Sequence, residues 1–112
     1  MLIVKKTIAL ASDHAGFDLK GALSNKLACA GFKIHDLGTN SRASVDYSDY
    51  GYAMADTILN GNIKRGVLIC GSGIGMSIAA NRFPGIRAAL VSDPLSAKLC
   101  RQHNDANILC LG

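Results

Sequence analysis

Gly66-Val67-Leu68-Ile69-Cys70-Gly71-Ser72-Gly73-Ile74-Gly75 is the stretch that decides how this chain folds. An apolar run closes on a thiol, and three glycines within five residues lead into a helix-like stretch from Met76 to Asn81. A short apolar run bounded by turn residues reads as a buried strand. Glycines at this spacing let the backbone turn sharply and bring several N–H groups near one point. A helix start adds amides without intrahelical acceptors and the positive end of a dipole. The stretch therefore predicts a strand–loop–helix unit that sets a thiol beside an anion cradle.

The alternation continues outward in both directions. Upstream, Thr7–Ser12 is a second candidate for a buried strand, followed by Asp13-His14-Ala15-Gly16. A helix is expected over Phe17–Ala30, with Leu19, Leu23 and Leu27 on its apolar face and Gly31 as its left-handed stop. Phe32–Leu37 alternates as a strand, and Asn40–Tyr47 reads as a polar loop. Ser48 is placed to cap a helix through Tyr52, Met54 and Ile58 that stops at Asn60-Gly61. Downstream, Pro84-Gly85 marks a turn before a strand over Arg87–Val91. Asp93 fits an N-cap and Pro94 the first helical position, with Leu95 and Leu99 as the apolar stripe. Asn107–Leu111 is the last strand.

Strands alternating with helices predict one α/β domain over residues 1–112. Its expected form is a three-layer Rossmann-like fold with a five-stranded parallel sheet. Ligands of such sheets sit beyond the carboxyl ends of the strands, at the switch point of the topology. Asp13-His14, Cys70 with its glycines, and Ser92-Asp93 all fall there.

Composition narrows the function classes. The formal charge of +4 is modest, and only Lys5-Lys6 and Lys64-Arg65 are adjacent basic residues. Without a basic run or interleaved aromatics, no nucleic-acid partner is expected, and a small anionic substrate fits better. The four cysteines, Cys29, Cys70, Cys100 and Cys110, lack zinc-site spacing, so no metal is expected. Free thiols in apolar surroundings point to a reduced, cytoplasmic setting. The N-terminus does not read as a secretory signal, and no apolar stretch reaches the ~20 residues of a membrane-spanning helix.

Each candidate residue has a plain structural alternative. Cys70 is either a base, drawn toward its thiolate by neighbouring donors, or a space-filling thiol at a strand end. The glycine cradle beside it favours the base. The loop Gly71–Gly75 is either an anion cradle or a tight turn; the dinucleotide pattern GxGxxG fails, because Met76 stands where its last glycine belongs. Asp13 could simply cap the next helix, with His14 as a surface imidazole, or the pair could line a phosphate site. His103, in Arg101-Gln102-His103-Asn104-Asp105, is either a solvated helix end or a proton donor favoured by the helix C-terminus. His35 has no partner in view and no assigned role.

Taken together, these motifs resemble the ribose-5-phosphate isomerase B family, whose wider group includes galactose-6-phosphate isomerase subunits. The resemblance rests on Ser12-Asp13-His14-Ala15-Gly16-Phe17, Asp46-Tyr47, Cys70 through Asn81, Ser96-Ala97, and Arg101 through Asn107, in that order. It implies a cofactor-free interconversion of ribose 5-phosphate and ribulose 5-phosphate through a cis-enediolate, in the pentose phosphate pathway. Cys70 would be the base, and the amides of Gly71, Ser72, Gly73, Ile74 and Gly75 would hold the enediolate oxygen beside the Ser72 hydroxyl. His103 would assist ring opening, Asn104 would hold a substrate oxygen, and Asp13, His14 and Tyr47 would line the sugar and its phosphate. A second subtype carries a glutamate base just after the loop; Met76 stands there, so this chain resembles the cysteine subtype.

The resemblance further implies a homodimer with a shared active site, or a tetramer built from it, in which His103 reaches the partner's thiol. It also implies a further C-terminal helix and tail, with phosphate-gripping arginines, which residues 1–112 lack; without them one sheet face is expected to be partly uncovered and the chain unstable or inactive. Two alternatives stay open. One is an isomerase of a hexose 6-phosphate, allose or galactose 6-phosphate. The other is a non-catalytic nucleotide-binding module in which Asp93 serves as a ribose-binding acid.

Overall fold

The structure, a computed structural model, describes residues 6–112. The reading of the first five residues as no secretory signal, and Lys5 of the Lys5-Lys6 pair, lie outside the described residues. The elements alternate as expected: β1 (Thr7–Ser12), α1 (Phe17–Cys29), β2 (Lys33–Asp36), α2 (Tyr47–Leu59), β3 (Arg65–Ile69), α3 (Ile74–Ala80), β4 (Ala88–Leu90), α4 (Pro94–Gln102) and β5 (Ile108–Leu111). The five strands form one sheet in the order β2-β1-β3-β5-β4, and every pairing is parallel. None of the described helices is long and apolar enough to cross a membrane.

Two-residue periodicity divides the sheet's side chains between two cores. Ala9, Ala11, Leu68, Cys70, Ile108 and Cys110 face Met54, Ala55 and Ile58 of α2 and Met76 and Ala80 of α3. Leu10, Val67 and Ile69 face the other way, with Leu23 and Leu27 of α1 packed on them. That same side continues through Leu109 and Leu111 to Val91, Ala97 and Cys100, which brings in α4. The helices thus cover the sheet in pairs, α2 with α3 and α1 with α4. Leu10, Leu68 and Ile69 are fully buried, and each such side chain contributes roughly 1.5–3 kcal/mol through removal from water.

Two helix starts and one helix face differ from expectation. Helix α2 starts at Tyr47 behind Asp46, whose backbone is extended, so Ser48 lies in the first turn rather than at the cap. Helix α3 starts two residues early, because Gly73 takes the left-handed conformation (φ 80°) and itself forms the N-cap. On α1, Leu19 is 42% exposed, whereas Lys20 is buried. The inward stripe is Lys20, Leu23 and Leu27, an i, i+3, i+7 spacing. Asp93 caps α4 as expected, accepting the Ser96 N–H at 2.7 Å with Pro94 at the first position.

Topology places the site. From β1 the chain moves to one edge through α1, and from β3 it moves toward the other through α3, on the opposite face. The carboxyl ends of β1 and β3 therefore flank the crevice where such folds bind ligands.

Candidate active site at the carboxyl ends of β1 and β3

Cys70 directly follows β3, and its N–H donates to the Leu111 carbonyl, so the ladder continues through it. Its side chain lies just under the rim, 6% exposed, beside exposed Gly71 and Ser72. The loop then doubles back on the sulfur: the Gly73 N–H donates to Cys70 Sγ at 3.1 Å. An N–H aimed at sulfur is matched to an anionic base. The Ile74 N–H donates to Ser72 Oγ at 3.2 Å, fixing that hydroxyl over the helix start.

Two of the five loop amides are therefore engaged within the loop. Gly71 and Ser72 have N–H groups without a partner among the described residues. Gly75 sits in the first turn of α3, where N–H groups lack an intrahelical acceptor. These three remain for a ligand oxygen.

The loop after β1 packs against this one. Asp13 donates its N–H to the Ile69 carbonyl, immediately before Cys70, and its Oδ1 accepts the Gly16 N–H at 3.1 Å. Ala15 Cβ lies 3.9 Å from the point where a side chain on Gly71 would begin. Gly16 lets this approach happen, since a Cβ there would stand 2.6 Å from the Ile69 carbonyl oxygen. Asp13 is buried while His14 is exposed. The Val45 N–H donates to His14 Nδ1 at 3.2 Å, which leaves the ring's own N–H on Nε2 as the outward donor. Tyr47 joins from the start of α2, its ring so close to Gly75 that a Cβ there would meet it at 2.8 Å.

His103 and Asn104 are elsewhere. In a parallel sheet each helix runs back against the strands, so α4 begins at the Cys70 rim and ends near the opposite edge. Its nine residues span about 13 Å. His103 is the C-cap, and both it and Asn104 are exposed. Arg87, just ahead of β4, donates from Nε to the Asn104 carbonyl at 2.7 Å. The structure thus brings together Cys70, Ser72, the glycine amides, Asp13, His14 and Tyr47, and sets His103 and Asn104 at the far end of the same chain.

Burial pushes the Cys110 thiol up to about 12, with Cys70 beside it adding to the effect, so Cys110 stays protonated. No group of three or more metal-ligating side chains occurs among the described residues. A groove of about 780 Å³ runs between α1 and α4, lined by Leu19, Leu90, Ala97, Leu109 and Leu111, and it reaches Gly71 and Ser72. Cys70, Asp13, His14 and Tyr47 are not part of its lining. The catalytic candidates form an open rim beside that groove.

Sequence reasoning passed over Lys20, the one buried lysine of α1. Its signal was the i, i+3, i+7 spacing to Leu23 and Leu27, which turns it inward.

Comparison with known proteins bears on family and fold. The sequence model of the family described as Ribose/Galactose Isomerase matches residues 8–112. The chain is 47% identical to ribose-5-phosphate isomerase B of Escherichia coli over 107 residues, covering 96% of this chain and 72% of that protein. It is 50% identical to a putative sugar phosphate isomerase of Rickettsia conorii, over 94% of this chain and 73% of the relative. Among solved structures, ribose-5-phosphate isomerase B of Clostridium thermocellum superposes with a TM-score of 0.93 at 46% identity, over 95% of this chain and 72% of that one. A match across nearly the whole domain, in sequence and in fold, leaves one conclusion: this chain belongs to the ribose/galactose isomerase family.

Proposed function

We propose that the chain is an aldose–ketose isomerase that interconverts D-ribose 5-phosphate and D-ribulose 5-phosphate, with Cys70 as the base. The observation that carries this reading is the Gly73 N–H on Cys70 Sγ, with unpartnered amides of Gly71 and Ser72 beside it. Cys70 takes the proton from C2 of the open-chain aldose, leaving a cis-enediolate with its charge on O1. The amides of Gly71, Ser72 and Gly75 stabilise that charge; donors aimed at developing charge are usually the largest catalytic term. The same sulfur returns the proton to C1, while the hydroxyl proton passes from O2 to O1. Atoms and electrons balance within the sugar, so the step needs no cofactor. His14, offering Nε2–H, and Asp13 line the sugar and phosphate end, with Tyr47 over the glycine loop.

Ring opening falls to His103, and Asn104 holds a substrate oxygen. Because one chain carries these two residues far from its own Cys70, the reading requires a homodimer in which each subunit completes the other's site. Ile74 and Ile78, one turn apart on α3 and 51% and 62% exposed, support that association, as does exposed Leu90 near Gly73. The apolar groove between α1 and α4 supports a further helix, such as the longer relatives have room for, as its cover. Phosphate-binding arginines from that segment complete the grip.

A coupled assay with ribose 5-phosphate, run beside allose and galactose 6-phosphates and nucleotides, tests the substrate. Cys70→Ala tests the base: exchange of the C2 proton with solvent should fall by about 10³-fold or more while sugar-phosphate binding persists. Preserved exchange in that variant removes Cys70 from the mechanism.

A further inference from the structure

Lys20 is 3% exposed and takes no part in the chemistry described above. Its ammonium donates to Asp36 Oδ1 at 2.6 Å and to the Thr39 carbonyl at 2.7 Å. The same Asp36 oxygen accepts the Gly38 N–H at 2.8 Å. Lys20 therefore joins both ends of the turn that follows β2. That turn in turn grips the end of β1. The Gly38 carbonyl accepts the Ser12 N–H at 2.8 Å, and the Thr39 N–H donates to the Ser12 carbonyl at 2.9 Å. Ser12 is the residue before Asp13-His14. Both peptide groups of Ser12 are thus held by a turn whose shape depends on one buried ammonium. The Phe17 ring lies 5.9 Å from Lys20 Nζ and covers it from the helix side.

We propose that Lys20 is a positioning residue: through the Asp36–Thr39 turn it sets the height and direction of the Asp13-His14 loop at the sugar-phosphate end of the site. The inference deepens the isomerase reading and, for its effect on substrate, rests on it. Burial is what gives the contact its weight. A surface lysine pair is worth little, whereas an ammonium removed from water holds its oxygens firmly and is costly to leave unpaired. The asymmetry is specific. The Asp36 side chain is 45% exposed, so water can replace its lysine, but nothing replaces the carboxylate for Lys20.

Three variants test this: Lys20→Met, Asp36→Asn, and the two combined. Lys20→Met should speed hydrogen exchange of the Ser12 and Thr39 amides by about tenfold or more. The Cys70 amide, bonded to Leu111, should stay protected. KM for ribose 5-phosphate should rise by about tenfold with kcat within about threefold, because the base is untouched. Asp36→Asn should lower Tm more than Lys20→Met, since it strands the buried charge. The combined variant should recover Tm while KM stays raised; a merely structural pair would recover both. Unchanged exchange at Ser12 and Thr39 in Lys20→Met overturns the clamp. Faster exchange with an unchanged KM also overturns the positioning role, and it assigns the failure to the substrate reading of Asp13-His14. Loss of Cys70→Ala sensitivity, measured separately, would instead mark failure of the isomerase reading itself.

Discussion

Cys70 and His103 stand at opposite ends of one sheet, and their surroundings differ as much as their positions. The Cys70 end is layered: two loops packed on each other, a buried carboxylate, a sulfur held by a backbone amide, and a clamped turn behind them. The His103 end is an exposed loop tied by one side-chain contact from Arg87 and two from Arg101. A group that must take a proton at a fixed point needs the first environment. A group delivered into another subunit's site needs the second, because it must protrude. Under the proposed function, these two ends are half-sites that face away from each other.

The strongest way to break that comparison is subunit mixing. Cys70→Ala and His103→Asn proteins should each be impaired, His103→Asn more on cyclic than on open-chain substrate. After dissociation and reassociation in equal amounts, activity should recover to about a quarter of wild type, since half the dimers are mixed and each then holds one intact site. No recovery, with mixed dimers present by mass, would place both residues in one subunit's site.

Packing at the two ends offers the next test. Gly16→Ala puts a Cβ against the Ile69 carbonyl and should cost about 1–3 kcal/mol in urea unfolding. The displaced loop should also weaken substrate binding. Asp105→Asn at the other end removes an exposed i,i+4 ion pair with Arg101 while keeping a side chain suited to the left-handed backbone there (φ 49°), and should change stability by less than about 0.5 kcal/mol. Equal costs would erase the difference in rigidity.

A smaller effect sharpens the picture with pH. Cys110 keeps its proton to about 12 in the folded chain, against an ordinary value of 9.0. The unfolded chain then binds fewer protons than the folded one between these values, so stability contributed by this group is present below pH 9 and lost as pH rises toward 12. The slope is about 1.4 kcal/mol per pH unit at most, and Cys110→Ala should flatten it. Asp93 provides the smallest effect, at the other extreme of pH: hydrogen bonds from Ser96 hold its carboxyl below the usual 3.8. Its contribution is present above that value and fades as pH falls through the lowered one, so Asp93→Ala should blunt the acid limb of a Tm–pH profile while Asp93→Asn should keep the cap.

Much of this molecule is legible in its sequence. Gly66–Cys70 reads as a buried strand because its neighbours are turn residues, and the structure places it in the middle of the sheet. Asp13-His14 and the glycine loop fall together because both follow strands that point the same way. The start of α2 was misread at Ser48, since a serine is a common cap and nothing local reveals the extended backbone of Asp46. Lys20 escaped because a leucine stripe one residue away fits a helix equally well, and the partner that turns it inward is sixteen residues distant at Asp36.

Local periodicity and turn chemistry determined, from the sequence alone, the order of the elements, the parallel sheet and which loops follow the carboxyl ends of its strands; each depends on residues only a few positions apart. The tertiary structure alone decided that the rim and the His103 loop lie at opposite ends and that a buried ammonium braces the turn gripping the end of β1. Those features arise from contacts between segments far apart along the chain, where no short-range pattern carries the information.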